Sequence, residues 1–136
     1  MKILATIVIT LMSLCFTVLD NNNSITVTVV NVNSSEGTVV FGLYNKTNFL
    51  KEPIQGKIGN IVDGKSTIVF ENVAPGEYAI TCFHDKNNNG IMDFEPNGLP
   101  KENYGASNNV MSFGPPQYLN AKFEVLDKNV SLDIKF

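Results

Sequence analysis

From Ser24 onward, apolar and polar residues alternate in short runs, each closed by a cluster of turn-forming residues. "SITVTVVNV" is rich in β-branched residues, and "GTVVFGLY" follows the turn-like "NSSEG". Period-two alternation of this kind is the pattern of half-buried strands, and the two runs predict a hairpin. "STIVFENV" and "GEYAITCFH" predict a second hairpin, joined at "APG", where Pro75 presets its own φ and Gly76 accepts a positive one. "AKFEVL" and "VSLDIKF" flank "DKN" and predict a third, and a weaker strand runs through "KIGNIV". No stretch beyond the N-terminal apolar run has helical periodicity. The expected fold is all-β: a single antiparallel β-sandwich of about seven strands with one long loop insertion.

Alternation also selects the core. Ile25, Val27 and Val29 should share one face, as should Val39, Phe41 and Leu43, and Leu132, Ile134 and Phe136. In "GEYAITCFH" the inward set is Tyr78, Ile80, Cys82 and His84, which places the only histidine at the strand's exit. Between Asp85 and about Asn120 no convincing strand is legible. A structureless stretch of that length in a compact domain is usually functional.

The first residues stand apart. "MKILATIVITLMSLCFTVL" has Lys2 as its one charge, then an apolar run to Leu19 and the polar "DNNNS", the layout of a secretory signal peptide. The expected division is a leader over 1–19 and a β-sandwich domain over 20–136, with a periplasmic or secreted product. The membrane is a partner only if the leader is retained as an anchor. Without Lys2, nine lysines face thirteen acids, and there is no arginine. The basic footprint of a nucleic-acid binder is missing. After leader removal Cys82 is the remaining cysteine, so an internal disulfide is excluded.

Candidate chemistry concentrates in "FHDKNNNGIMDFEP". Calcium takes six to eight oxygen ligands, which a short loop supplies by turning alternate side chains inward. Asp85, Asn87 and Asn89 alternate in that way, Gly90 allows the sharp turn, Ile91 offers its carbonyl, and Asp93 binds directly or through water. The match to an EF-hand loop ends at Pro96, where the bidentate glutamate belongs, so Glu95 or Glu102 must close the site. The expected cofactor is calcium, held by residues 85–96 with Glu102. A metal-free turn is the structural alternative, since Asp and Asn form local Asx turns.

Longer motifs carry a resemblance. "PGEYAITCFHDKNNNGIMDFEPNGLPKENYGASNN", followed by "FGPPQYLNAKFEV", resembles the domain of unknown function 2141 family of bacterial secreted proteins. The likeness covers essentially the whole mature chain. It departs at Asn88, where glycine is common, and at Ala106, where an aromatic is common. The resemblance implies a small sandwich similar to prealbumin-like and immunoglobulin-like modules, and it implies no activity.

The expected role is therefore a non-catalytic exported module whose ordered loop presents a binding surface. His84, Tyr104, Asn108, Asn109, Phe113 and Tyr118 are the candidate ligand-binding residues, and aromatics with amides suit a carbohydrate or peptide of the cell envelope. Two alternatives stand beside it. One is a hydrolase using His84 with Asp85 or Glu102; the other is a purely structural envelope protein.

Overall fold

The computed structural model describes residues 22–110 and 113–136. The expected leader lies outside the described residues. Among the described residues eight strands form: β1 (Asn23–Val29), β2 (Thr38–Tyr44), β3 (Gln55–Gly59), β4 (Ser66–Val73), β5 (Gly76–Asp85), β6 (Tyr104–Ala106), β7 (Phe123–Val125) and β8 (Val130–Ile134). One helical turn, α1 (Tyr118–Ala121), precedes β7.

The fold is all-β with two sheets. The smaller has the order β4-β1-β8, and the larger runs β3-β2-β5-β6 with β7 also on β5. Both sheets turn their apolar residues into one shared core: Ile25, Val27, Val29, Phe70 and Ile134 from the smaller, and Val39, Phe41, Leu43, Ile80 and Cys82 from the larger. The alternation of β1 is strict, with Ile25, Val27 and Val29 buried and Ser24, Thr26 and Thr28 half-buried. Leu132 and Phe136, expected fully inside, are only partly buried and pack against the core from its margin.

All three expected hairpins are absent. β1 pairs with β4 and β8, while β2 pairs with β3 and β5. The β4–β5 and β7–β8 connections likewise pass from one sheet to the other. The physical reason is that turn chemistry fixes a bend, not a partner. A Pro-Gly corner joins two strands side by side or carries the chain across the core, and inward residues alternate identically either way. Nor is the fold wholly antiparallel, because β1 and β8 run parallel, with Ile25 opposite Val130 through Val29 opposite Ile134. The insertion also holds more order than expected. It contains β6, a 3-10 turn over Ser107–Asn109, and α1.

β5 sets the position of everything that follows. One edge pairs with β2 from Ala79 to Asp85. Asp85, the last residue, reaches the rim opposite Thr38, with Gly37 pressed against it. Gly37 has φ 72°, and a Cβ there would run into the Asp85 carbonyl oxygen. Gly37→Ala should therefore combine a left-handed backbone cost of about 1–3 kcal/mol with displacement of Asp85. Urea unfolding should show a lower midpoint; an unchanged midpoint would contradict this close approach.

Candidate functional site

The "DKNNNG" stretch folds as a compact turn around the Asp85 carboxylate. That group is buried and accepts the N–H of Asn89 at 3.2 Å and of Gly90 at 2.8 Å. Asn88 (φ 55°) and Gly90 (φ 78°) both adopt left-handed backbone, which asparagine tolerates better than most residues. Asn88 thus holds a conformation that glycine would adopt without strain. Asn87 donates its amide N–H to Asp93 Oδ2 at 2.7 Å, and Asn89 donates to Asp93 Oδ1 at 2.9 Å. Asp85, Asn87, Asn89 and Asp93 come together as the spacing suggests. Ile91 turns its side chain to solvent, and Glu95 is exposed in the turn that follows.

Of the two candidates for closing the loop, Glu102 is the one brought in. Lys101 N–H donates to the Asp93 carbonyl at 2.9 Å, so the chain doubles back and sets Glu102 beside Asp93. Glu102 is a buried residue, and its carboxylate accepts the Asp93 N–H at 3.3 Å. Burial raises its pKa first, and the negative charges of Asp93 and Asp85 raise it further, against the backbone N–H groups of Asp93 and Lys86. The one ion pair among the described residues, Lys122 with Glu77, lies elsewhere. Asp85, Asp93 and Glu102 therefore make no ion pair among the described residues. As placed, no three His, Cys, Asp or Glu side chains among the described residues are arranged to hold a metal. The amide nitrogens of Asn87 and Asn89 occupy the approach to Asp93, and the N–H groups of Asn89 and Gly90 occupy Asp85.

His84 is a core residue. Its ring is fully buried, lies parallel to Phe136 with centroids 6.4 Å apart, and engages the Glu36 carbonyl through Nε2 at 2.7 Å. Nδ1 has no partner, and nothing in the structure accounts for that. The ring thus faces the core, because the inward face of β5 continues to the end of the strand. The Asp85 carboxylate turns to the loop instead. Cys82 is buried, and burial pushes its thiol well above the ordinary range, the opposite of an activated nucleophile.

The remaining candidates scatter. Asn109 donates to the Asp133 carbonyl and accepts the Lys135 N–H, both at 2.9 Å, imitating a neighbouring strand on the open edge of β8. Asn108 donates to the carbonyls of Asn120 and Lys122 at 3.0 and 2.8 Å, beside α1. Both residues are exposed, and their amide N–H groups bond to backbone carbonyls. Tyr118 packs edge-on against Phe49 and donates its hydroxyl to Glu77 at 3.0 Å. Burial, then Glu77, pushes its phenol up to about 12. Phe113 is fully exposed, and Tyr104 donates its hydroxyl to the Gly114 carbonyl at 3.2 Å.

Tyr104 alone of the six lines the principal cavity. The insertion folds back over the outer face of the larger sheet and leaves a recess of about 440 Å³. Phe83 and Thr81 of β5 form part of its wall, with Tyr44, Met92, Phe94, Leu99, Pro115 and Pro116 around them. Sequence reasoning passed over these residues because it searched for polar groups. The available signal was Phe83, a large apolar side chain on the outward face of a strand whose inward face was already assigned.

A family model described as "Uncharacterized protein conserved in bacteria (DUF2141)" matches residues 27–133. No curated protein and no solved structure matches the chain.

Glu102 gives a pH signature with a definite sign. A carboxyl whose folded pKa is raised binds its proton more tightly in the native state, so stability falls as pH rises from the unfolded carboxylate value through the raised one. Glu102→Gln should flatten that decline and raise the melting temperature at pH 7 when no divalent cation is present. A melt that is lower at pH 7 in the variant would mean that the charge is compensated.

Proposed function

The chain belongs to the DUF2141 family of uncharacterised bacterial proteins, and within it we propose an exported, non-catalytic binding module. The module acts in the periplasm or outside the cell, on a sandwich of prealbumin-like or immunoglobulin-like kind. It holds an apolar group of a cell-envelope component under its insertion, and calcium orders the adjoining loop.

One observation carries the reading: the recess of about 440 Å³ between the insertion and the outer sheet face. Its size falls in the usual range for small-ligand sites, roughly 300–1,000 Å³, and its walls are aromatic and aliphatic as such sites are. No nucleophile paired with a base lines it. His84, the candidate base of the hydrolase alternative, bonds a carbonyl and faces the core. Of the two expected ligand classes, a peptide keeps its support through an apolar side chain. A carbohydrate loses the Asn108 and Asn109 donors, which serve the backbone.

Calcium fits the loop in chemistry. Asp85, Asp93 and Glu102 supply carboxylates, while Asn87 and Asn89 supply amides whose half-turn about the last side-chain bond exchanges nitrogen for oxygen. The unmatched acid charge is what a divalent cation would neutralise. With three carboxylates, affinity on the order of 10⁻⁴ to 10⁻³ M is expected, as in extracellular modules.

Two measurements test the reading. Millimolar calcium should raise the melting temperature of the wild type but not of Asp93→Ala, and at 100 times the dissociation constant the gain is about 2.7 kcal/mol. An equal rise in both proteins would place the ion elsewhere. Independently, NMR titration with envelope-derived peptides should shift the amides of Phe83, Phe94 and Tyr104. If no envelope component shifts them, the binding role falls.

A further inference from the structure

Phe113 is the most exposed large apolar residue among those described, and it lines neither the principal recess nor a second one of about 390 Å³ beside it. It nevertheless stands at their common rim, because its neighbour Gly114 lines both. An aromatic ring of this kind removes roughly 150–250 Å² from water when it is buried, so leaving it hydrated is unfavourable. The principal recess is its complement. No charged side chain lines it, and the Tyr104 hydroxyl is committed to the Gly114 carbonyl. Leu50, Phe94 and Leu99 on its walls remain 47%, 56% and 60% exposed. An apolar hollow and an apolar projection therefore share one patch, which Phe113 does not close within its own chain.

Shape selects what covers the patch. A flat bilayer would meet the ring and leave the hollow unfilled, whereas a second copy supplies a ring for it. The recess of about 440 Å³ exceeds the roughly 150 Å³ that holds a benzene ring in a protein interior. Because ring and recess adjoin at Gly114, a two-fold axis at the rim seats both rings at once, each copy giving Phe113 and receiving it. Such an isologous contact closes at two copies. The two rings together bury roughly 300–500 Å², and the covered walls bring the total to the order of 1,000 Å². That is the small end of specific interfaces, so the pairing is reversible.

We infer that the chain forms a two-fold dimer in which Phe113 of each copy occupies the principal recess of the other, against Phe83, Phe94 and Tyr104. This goes beyond the reading of the recess as a ligand site and adds a competition to it. Ligand and second copy take the same space, so an apolar ligand releases the monomer.

Sedimentation velocity over a concentration series of the full mature chain measures the dimer, and NMR over the same series locates it. Wild type should show a monomer–dimer equilibrium, with the amides of Phe83, Phe94 and Tyr104 shifting as concentration rises. Phe113→Ser should weaken association at least about thirtyfold, as loss of a central interface aromatic does. Its melt should be unchanged, because the ring is exposed. Leu99→Glu, in the wall of the recess, should weaken association likewise. Mixing the two variants should restore part of it, since one intact ring then meets one intact recess. A wild type that stays monomeric, a Phe113→Ser variant that associates as tightly as wild type, or a mixture no better than its components overturns the inference. So does a monomeric wild type that binds phosphatidylcholine vesicles through Phe113. If no dimer forms while an envelope peptide shifts Phe83 and Tyr104, the inference fails and the ligand reading stands. A dimer that forms while no envelope component binds leaves the reverse.

Discussion

The outer edge of β5 is the constraint on which the rest of the molecule depends. β2 covers the other edge, leaving a ten-residue strand in the middle of the larger sheet with a row of backbone groups to satisfy. No single strand does this. β6 pairs from Thr81 to Phe83, β7 pairs from Gly76 to Tyr78, and Ile80 lies between. The seam is closed by the Ser107 hydroxyl, which accepts the Ile80 N–H at 3.1 Å and donates to the Ala121 carbonyl. Ser107 is buried, so the seam is dry, and a lost partner there costs its full desolvation penalty.

From that seam the insertion's course follows. With Ser107 pinned, Asn108 and Asn109 reach in opposite directions, the one to the end of α1 and the other to the edge of β8. Both adopt left-handed backbone, φ 69° and 51°, which is how two consecutive amides diverge from one short turn. The Ser-Asn-Asn stretch thus ties the larger sheet to the smaller.

The strands were legible because burial on one face imposes a period of two, and that period survives any topology. Ile25, Val27, Val29, Val39, Phe41 and Leu43 are all buried as alternation requires. Pairing was not legible, since the same inward residues serve a hairpin or a crossing. Asp85, Asn87, Asn89 and Asp93 were found by spacing because the loop is local in sequence. Glu102 was reached only as one of two candidates, because its approach depends on the chain doubling back. Asn108 and Asn109 bond to backbone groups that the sequence alone does not place beside them. An amide that imitates a strand and an amide that awaits a ligand look alike until their neighbours are placed. His84 lies inside, as the period of its strand places it.

The seam can be examined directly by amide hydrogen exchange on Ser107→Ala against wild type. Loss of a buried hydrogen-bond partner is worth roughly 1–3 kcal/mol, so protection should fall by about tenfold or more where the loss is local. The account predicts faster exchange at Ile80 and along β6 and β7, with the β1–β4 ladder unchanged. A uniform acceleration across both sheets, or no change at Ile80, would contradict it.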